Sequence, residues 1–228
     1  MIMTHSDDKG LVLPPRLAAT HVVIVPILAN AEARPRVLEA ADRLAAAISE
    51  NTEARRLPYE IGVVVDKDET KQPGWKFFEH EMTGTPIRIE IGPRDLEKST
   101  AVVVRRDVGK KEFIPLDAIP EWVARNLAAM QKELLERARA FREANTHELP
   151  AGTAGYAEFK AKLEGGGFFM APWCQSRDCE AKVKEETKAT IRCLPLDAAY
   201  QPISEAGKGC MVCGSAEKTV RTVFARAY

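Results

Sequence analysis

Residues 22–27, Val-Val-Ile-Val-Pro-Ile, form an unbroken run of apolar and mostly β-branched side chains. Such a run is typical of a strand that is buried on both faces, as in a sheet covered by helices. Apolar residues then recur at helical spacing from Val37 to Ile48, and a second apolar run follows at 61–65. This alternation of buried strands and amphipathic helices predicts an α/β fold.

The alternation continues as far as residue 141. The further elements predicted are a helix from Gln72 to Gly84, a strand over 87–91, a hairpin over 101–115 and a long amphipathic helix over 123–141. Asn30 is expected to cap the first helix. With about five strands and three helices, the pattern predicts a mixed five-stranded sheet with helices packed on it.

A change of composition at residues 149–152, Leu-Pro-Ala-Gly, predicts a domain boundary. We expect one domain over 20–149 and a second, small α/β domain over 150–228. Residues 1–19 end in an extended stretch with a double proline, which disfavours helix. They are predicted to be a linker or the end of another domain.

Charge and hydropathy limit the partners of the chain. Lys plus Arg and Asp plus Glu both number 33, so binding of nucleic acid through an overall positive charge is disfavoured and a local patch is needed. The longest apolar run, 22–29, is far shorter than the roughly 18 residues of a membrane helix. No secretory signal opens the sequence. We expect a cytoplasmic protein without a membrane partner.

Four of the five cysteines lie in two close pairs. Cys174 and Cys179 have four residues between them, and Cys210 and Cys213 form a Cys-x-x-Cys motif in a glycine-rich turn. Two such pairs can meet around one tetrahedral ion, and four thiolates satisfy zinc without water. The spacing therefore predicts a structural zinc site.

Other interpretations of the cysteines stay open. Cys210 and Cys213 could form a dithiol redox centre, although such motifs usually begin a helix rather than lie in a glycine-rich turn. The pairs could also be unmetallated, buried or free cysteines. Cys193, in an apolar stretch, is predicted to be a core residue.

A second group of residues combines aromatic, acidic and basic side chains. Phe77 and Glu81 lie on the predicted helix, Arg88 on the strand after it, and Arg94 and Asp95 follow that strand. A carboxylate can accept from N1–H and N2–H of guanine, arginine can donate to O6 and N7, and an aromatic ring can stack on an unpaired base. The alternative is that the ring belongs to the core and the charges form a solvated face.

Taken together, several stretches resemble the C-terminal half of prolyl-tRNA synthetase of the archaeal/eukaryotic-like type. The matching stretches are 4–15, 74–77, 91–96, 171–174, 184–193 and 223–228. One position departs from the family, which usually has glycine where this chain has Ser6.

The resemblance implies a class II aminoacyl-tRNA synthetase anticodon-binding domain, followed by a small zinc-binding-like α/β domain. It implies anticodon-contacting and zinc-ligating roles for two sets of residues, namely Phe77, Glu81, Arg88, Arg94 and Asp95, and Cys174, Cys179, Cys210 and Cys213. Proline anticodons end in two guanines, which fits the guanine chemistry above. The C-terminal carboxylate of Tyr228 is expected to approach the active site of the catalytic domain.

The activity that the resemblance implies is ATP-dependent attachment of proline to tRNA(Pro) in translation. It places the catalytic domain, with its ATP and magnesium sites, upstream of Met1, and it implies a homodimeric enzyme. Residues 1–19 are then a remnant of that domain. The chain contains no predicted catalytic residue of its own and is expected to be inactive alone. The alternative is a free-standing RNA-binding or regulatory protein derived from such domains.

Overall fold

The computed structural model describes residues 1–28 and 31–226. The chain divides into two compact units, residues 1–138 and 139–228. The boundary predicted from the sequence, 149–150, lies further along the chain. A strand at 146–148 already pairs within the second sheet, so the second unit includes residues before that boundary.

The first unit alternates helices and strands. Its elements are α1 (Ile2–His5), a 3₁₀ turn (Pro15–Leu17), β1 (Val22–Pro26), α2 (Arg34–Glu50), α3 (Thr52–Arg55), β2 (Val63–Val65), α4 (Pro73–Met82), β3 (Ile87–Ile91), α5 (Pro93–Glu97), β4 (Thr100–Arg105), β5 (Lys111–Pro115) and α6 (Ile119–Ala144), whose last residues belong to the second unit. The predicted cap of α2, Asn30, lies outside the described residues.

The five strands form one mixed sheet in the order β2-β1-β3-β4-β5. β1 is parallel to β2 and β3, whereas β4 is antiparallel to β3 and β5. One face carries Ile24 and Ile89, which are fully buried together with apolar residues of α2 and α6. The opposite face carries Arg88, against which the Phe77 ring of α4 lies. The predicted mixed sheet with helices is therefore confirmed.

The C-terminal end of α4 is shaped by Gly84. Its φ of +79° is a conformation that L side chains rarely adopt, and a Cβ there would lie 2.8 Å from the side chains of Leu11 and Leu13. Glycine therefore ends the helix, as the sequence predicts, and allows the N-terminal segment to approach. That segment is packed: Val12 is buried in a small cluster with Met130 and Leu134 of α6.

The second unit has a four-stranded sheet in the order β6-β7-β9-β8. Its elements are β6 (Thr146–Glu148), α7 (Thr153–Lys162), a 3₁₀ turn (Leu163–Gly165), β7 (Phe168–Trp173), α8 (Arg177–Thr187), β8 (Ala189–Cys193) and β9 (Val220–Arg226). The rings of Phe159, Phe169 and Phe224 are fully buried and form the centre of its core.

Cys193 is not a core residue, and that prediction is wrong. β8 is an edge strand, and its register against β9 shifts between Ile191 and Cys193. The irregularity interrupts the alternation of inward and outward side chains, and Cys193 at the end of the strand is exposed.

Candidate RNA interface and metal centre

Phe77 and Arg88 form the centre of a mixed aromatic and charged cluster. The guanidinium carbon of Arg88 lies 4.5 Å from the centre of the Phe77 ring, and Lys111 Nζ lies 5.8 Å from it. In the sheet, Arg88 is opposite Val104, and Val104 is opposite Lys111. The two cations therefore share a face of the sheet, and the aromatic ring of α4 lies over them.

Glu90 holds the two cations of this cluster in place. Its Oε1 accepts from Arg88 Nε at 3.2 Å and from Nη2 at 3.1 Å, and its Oε2 accepts from Lys111 Nζ at 3.0 Å. The carboxylate is buried, so these charge-assisted hydrogen bonds are screened little by water. The Arg88 guanidinium consequently has a fixed orientation over the ring.

Glu81 lies one helical turn after Phe77, at the end of α4. Its carboxylate is partly exposed and is 3.6 Å from Lys9 Nζ. Glu81, Arg88 and Arg106 line the same small cleft. The structure thus brings together three of the predicted residues, a ring, a carboxylate and a guanidinium, a combination that can recognise an unpaired guanine by stacking and hydrogen bonding.

Arg94 and Asp95 lie apart from that cleft. They belong to α5, which begins five residues after Arg88, beyond the carboxyl end of β3, and neither of them lines the cleft. An Asp95 carboxylate oxygen accepts from the backbone N–H of Gly92 at 2.9 Å and thereby caps α5. Arg94 is exposed and has no ion-pair partner among residues 1–28 and 31–226.

A buried ion-paired group anchors α4 to the chain after β2. Lys76 Nζ lies 3.0 Å from Asp66 Oδ1, and His80 Nε2 lies 3.0 Å from Asp66 Oδ2. Burial by itself would raise the pKa of Asp66, but the hydrogen bonds from His80 and Lys76 outweigh it and the pKa is lowered. The charged anchor fixes the helix on which Phe77 and Glu81 lie.

Sequence reasoning missed Glu90, Lys111 and Phe113 as parts of this surface. Glu90 lies on a strand with alternating apolar and charged residues, which favours an exposed side chain, yet it is buried, and Lys111 lies on β5 with its amine bonded to Glu90. Phe113 is 70% exposed on β5, on the face it shares with Glu90 through Val102. The signal available in the sequence was the two-residue spacing of Lys111 and Phe113 on a strand beside Arg88 and Glu90.

The two cysteine pairs meet at one point in the second unit. Cys174 follows β7 directly, and Cys179 lies in the first turn of α8, which Ser176 caps by accepting from Asp178 N. The Cys210–Cys213 turn is attached to β7 by a hydrogen bond from Met211 N to Pro172 O, 3.0 Å long. The chain's secondary structure therefore brings both pairs to the carboxyl end of β7.

The geometry of the four sulfur atoms fits a zinc ion. All four lie within 4.8 Å of one another. Cys174 Sγ lies 3.6 Å from Cys179 Sγ and 3.7 Å from Cys213 Sγ. With Zn–S bonds of about 2.3 Å, the edge of a regular tetrahedron of sulfur atoms is about 3.8 Å. The four cysteines are thus preorganised for a metal ion, and none of them forms a disulfide.

The thiols of this cluster are in different environments. Burial raises the pKa of Cys174 and of Cys179, whereas a hydrogen bond from the backbone N–H of Ser215 lowers the pKa of Cys213. A divalent cation such as zinc stabilises thiolates, and its binding would offset the cost of burying them.

Tyr228, whose C-terminal carboxylate is expected to approach the active site of the catalytic domain, lies outside the described residues. Within residues 1–28 and 31–226, no helix combines the length and the apolar character that crossing a bilayer requires.

Comparisons with known proteins agree with this architecture. Residues 21–126 match the family described as anticodon binding domain, and residues 156–228 match the family described as prolyl-tRNA synthetase, C-terminal. Proline–tRNA ligases of Porphyromonas gingivalis, Chlorobium luteolum and Chloroflexus aggregans are 43%, 44% and 46% identical to the chain over its whole length.

The chain spans 43%, 45% and 44% of the length of these three relatives, respectively. The anticodon-binding family matches the part of the chain that forms the five-stranded sheet. The C-terminal family matches the part that holds the four-cysteine cluster. Residues 21–126 therefore belong to the anticodon-binding domain family, and residues 156–228 belong to the family of prolyl-tRNA synthetase C-terminal domains.

Proposed function

We propose that residues 1–138 read the anticodon of tRNA(Pro), as part of a protein that attaches proline to this tRNA with ATP. The observation that carries the proposal is the Arg88 guanidinium held over the Phe77 ring, beside a cleft that Glu81 lines. The relatives are named proline–tRNA ligases, and proline anticodons contain two adjacent guanines.

Arg88 and Phe77 supply the stacking and donor side of the recognition. Glu90 accepts from Nε–H and from one Nη2–H of the guanidinium, so its remaining N–H groups, two of them on Nη1, are left to donate to a base. A guanine offers acceptors at O6 and N7 to such a donor. Because the guanidinium is already oriented by a buried carboxylate, little conformational entropy is lost when the base binds.

Glu81 supplies the acceptor side. Its two carboxylate oxygens match the N1–H and N2–H donors of guanine, whereas adenine presents an acceptor at N1 and would leave the carboxylate unpaired. Lys9 is an easily displaced partner of Glu81, because its side chain is 67% exposed and the pair is 3.6 Å apart. Discrimination between the bases then follows from the desolvation cost of the unpaired carboxylate.

Arg94 and Asp95 would extend the interface along the sheet. The exposed guanidinium of Arg94 can reach a phosphate or a second base. Asp95 has one carboxylate oxygen committed to Gly92 N, so its other oxygen is the one available for RNA.

The test is binding of an anticodon stem-loop with GG, and of the same stem-loop with AA, measured by fluorescence anisotropy. Replacing Glu81 by alanine should reduce the preference for GG by about 1–3 kcal/mol. Replacing Glu112, an exposed carboxylate on β5, should leave the preference unchanged and serves as the matched control. An unchanged GG-to-AA ratio in Glu81→Ala would mean that Glu81 does not read a base.

We infer that Cys174, Cys179, Cys210 and Cys213 bind one zinc ion with a structural role. A closed set of four thiolates leaves no position for water or substrate, which is the form of structural rather than catalytic zinc sites. Elemental analysis of protein purified without chelator should give about one zinc per chain. Absence of metal, with all four thiols titrating freely, would contradict this.

We further propose that proline activation resides in family segments that these residues do not include, and that the whole protein acts in the cytoplasm as a homodimer. The support is that the relatives are more than twice as long as the chain and that the two units matched are an anticodon-binding and a C-terminal domain. The chain alone should therefore show no proline-dependent ATP–pyrophosphate exchange. Clear exchange by contaminant-free protein would overturn this assignment.

A further inference from the structure

Arg106 is a buried arginine that joins the N-terminal turn to the end of α4. Its Nη1 and Nη2 donate to the two carboxylate oxygens of Asp7 at 2.8 and 2.6 Å, and its Nε donates to the backbone carbonyl of Glu81 at 2.8 Å. The Arg106 side chain is 3% exposed, and the Asp7 side chain is 50% exposed. The buried cation is thus satisfied by one partly exposed counter-charge and one helix carbonyl.

The hydrogen bond from Arg106 to the Glu81 carbonyl stabilises the C-terminal end of α4. Carbonyls of the last turn lack a helical partner, and a cation near them also interacts favourably with the helix dipole. Arg106 supplies both effects to the turn that carries Glu81. Its hydrogen bonds lower the pKa of Asp7 to about 2, so the counter-charge is present at every physiological pH.

Three more contacts join the N-terminal segment to the same helix end. Leu11 N donates to Met82 O at 3.0 Å, and Lys9 Nζ lies 3.6 Å from the Glu81 carboxylate. Gly10 lies so close that a Cβ on it would be 2.5 Å from Met82 Cα. Residues 10 and 11 therefore pack directly on the backbone of Met82, the residue that follows Glu81, which is proposed to read guanine.

We propose that Asp7 and Arg106 are positioning residues for base recognition, holding Glu81 at the cleft through its backbone and keeping the Arg106 cation away from its carboxylate. The inference rests on the proposed anticodon-reading function and adds to it a role for the N-terminal turn. Base recognition by Glu81 would thereby depend on an ion pair between Asp7 and Arg106, two residues that lie 99 positions apart in the sequence.

Loss of the Asp7 charge has a specific consequence in this arrangement. In Asp7→Asn the amide oxygen can still accept one hydrogen bond, but Arg106 would remain buried without its counter-charge, and the carboxylate that lines the same cleft is that of Glu81. An Arg106–Glu81 ion pair would then compete with guanine for the acceptor oxygens. The variant should bind GG less selectively even if the fold is intact.

The experiment compares Asp7→Asn with Asp8→Asn, the adjacent exposed carboxylate, and with Asp7→Glu, which keeps the charge. Each variant is titrated with the GG and AA stem-loops by fluorescence anisotropy, at a temperature where thermal unfolding shows all variants to be folded. Asp7→Asn should lower the GG-to-AA affinity ratio about three- to tenfold, the range expected for loss of one coupling contact. Asp8→Asn should not change the ratio, and Asp7→Glu should restore at least part of it.

Each outcome has a definite meaning. A normal ratio in Asp7→Asn, with or without a lower melting temperature, would show that the clamp is only structural and would overturn the inference. An equal fall in Asp8→Asn would indicate a general charge effect and would also overturn it. If the wild-type protein itself does not prefer GG, the proposed function fails and this inference fails with it, whereas a preference that survives Asp7→Asn removes the inference alone.

Discussion

Replacing Glu90 by leucine is expected to destabilise the first unit by about 3 kcal/mol. The Glu90 side chain is 9% exposed and that of Arg88 is 14% exposed, so the substitution leaves a nearly buried guanidinium without its counter-charge. Breaking a buried ion pair by removing one partner costs about 3–5 kcal/mol. The lower end applies because Arg88 keeps its contact with the Phe77 ring and some access to water.

The second partner of Glu90 changes this figure little. The Lys111 side chain is 56% exposed, and a lysine that can return to water contributes about 0–1 kcal/mol to such a pair. Removing both buried charges should be far less harmful than removing one. The double variant Glu90→Leu/Arg88→Met is therefore expected to recover most of the lost free energy of unfolding.

The assay is urea unfolding followed by tryptophan fluorescence. Trp75 and Trp122 lie in the first unit and Trp173 in the second, so a Trp173→Phe background restricts the signal to the first unit. Glu112→Leu, on the exposed edge strand, is the matched control and should change the free energy of unfolding by less than about 0.5 kcal/mol. A cost below about 1 kcal/mol for Glu90→Leu, or no recovery in the double variant, would refute the reasoning.

Three other predictions test separate parts of the molecule. Metal removal by a chelator, or Cys213→Ser, should destabilise the second unit and leave the urea transition of the first unit unchanged. As the control, Cys193→Ser replaces an exposed cysteine, and elemental analysis should find the metal still bound. Gly84→Ala should lower the free energy of unfolding by about 1–3 kcal/mol, because Gly84 has a positive φ and a Cβ there would meet Leu11 and Leu13. Gly109 also has a positive φ but open space around it, so Gly109→Ala should lower the free energy by about 1 kcal/mol. Both values are measured from urea midpoints. Burial lowers the pKa of His21, whose Nδ1 accepts from Gly62 N, so the unfolded chain binds more protons and the free energy of unfolding should fall as pH drops below about 6.5. His21→Asn should reduce this pH dependence in thermal unfolding between pH 7 and 5. An equal pH dependence in both proteins would exclude His21 as its source.

Local patterns of the sequence predicted most of the helices and strands and the convergence of the four cysteines. The β-branched run at 22–27, the helical spacing from Val37 to Ile48 and the isoleucines of 87–91 each correspond to an observed element. Such patterns are reliable because side chains return to the same face every 2 residues in a strand and every 3.6 residues in a helix. The cysteine cluster was predictable for a similar reason. The two cysteines of each pair are already close in the sequence, so only the two pairs have to meet for four ligands to surround one ion.

What covers each face was decided only by the tertiary structure. Alternation along β3 indicates that Arg88 and Glu90 share a face, but α4 and Lys111 make that face a buried ion-paired site rather than a solvated one. Cys193 is exposed because a register shift on an edge strand interrupts the alternation. The clamp between Asp7 and Arg106 joins residues 99 positions apart, and no local periodicity records such a contact. Sequence patterns fix the orientation of side chains relative to their own element, whereas burial and ion pairing depend on which distant element packs against them.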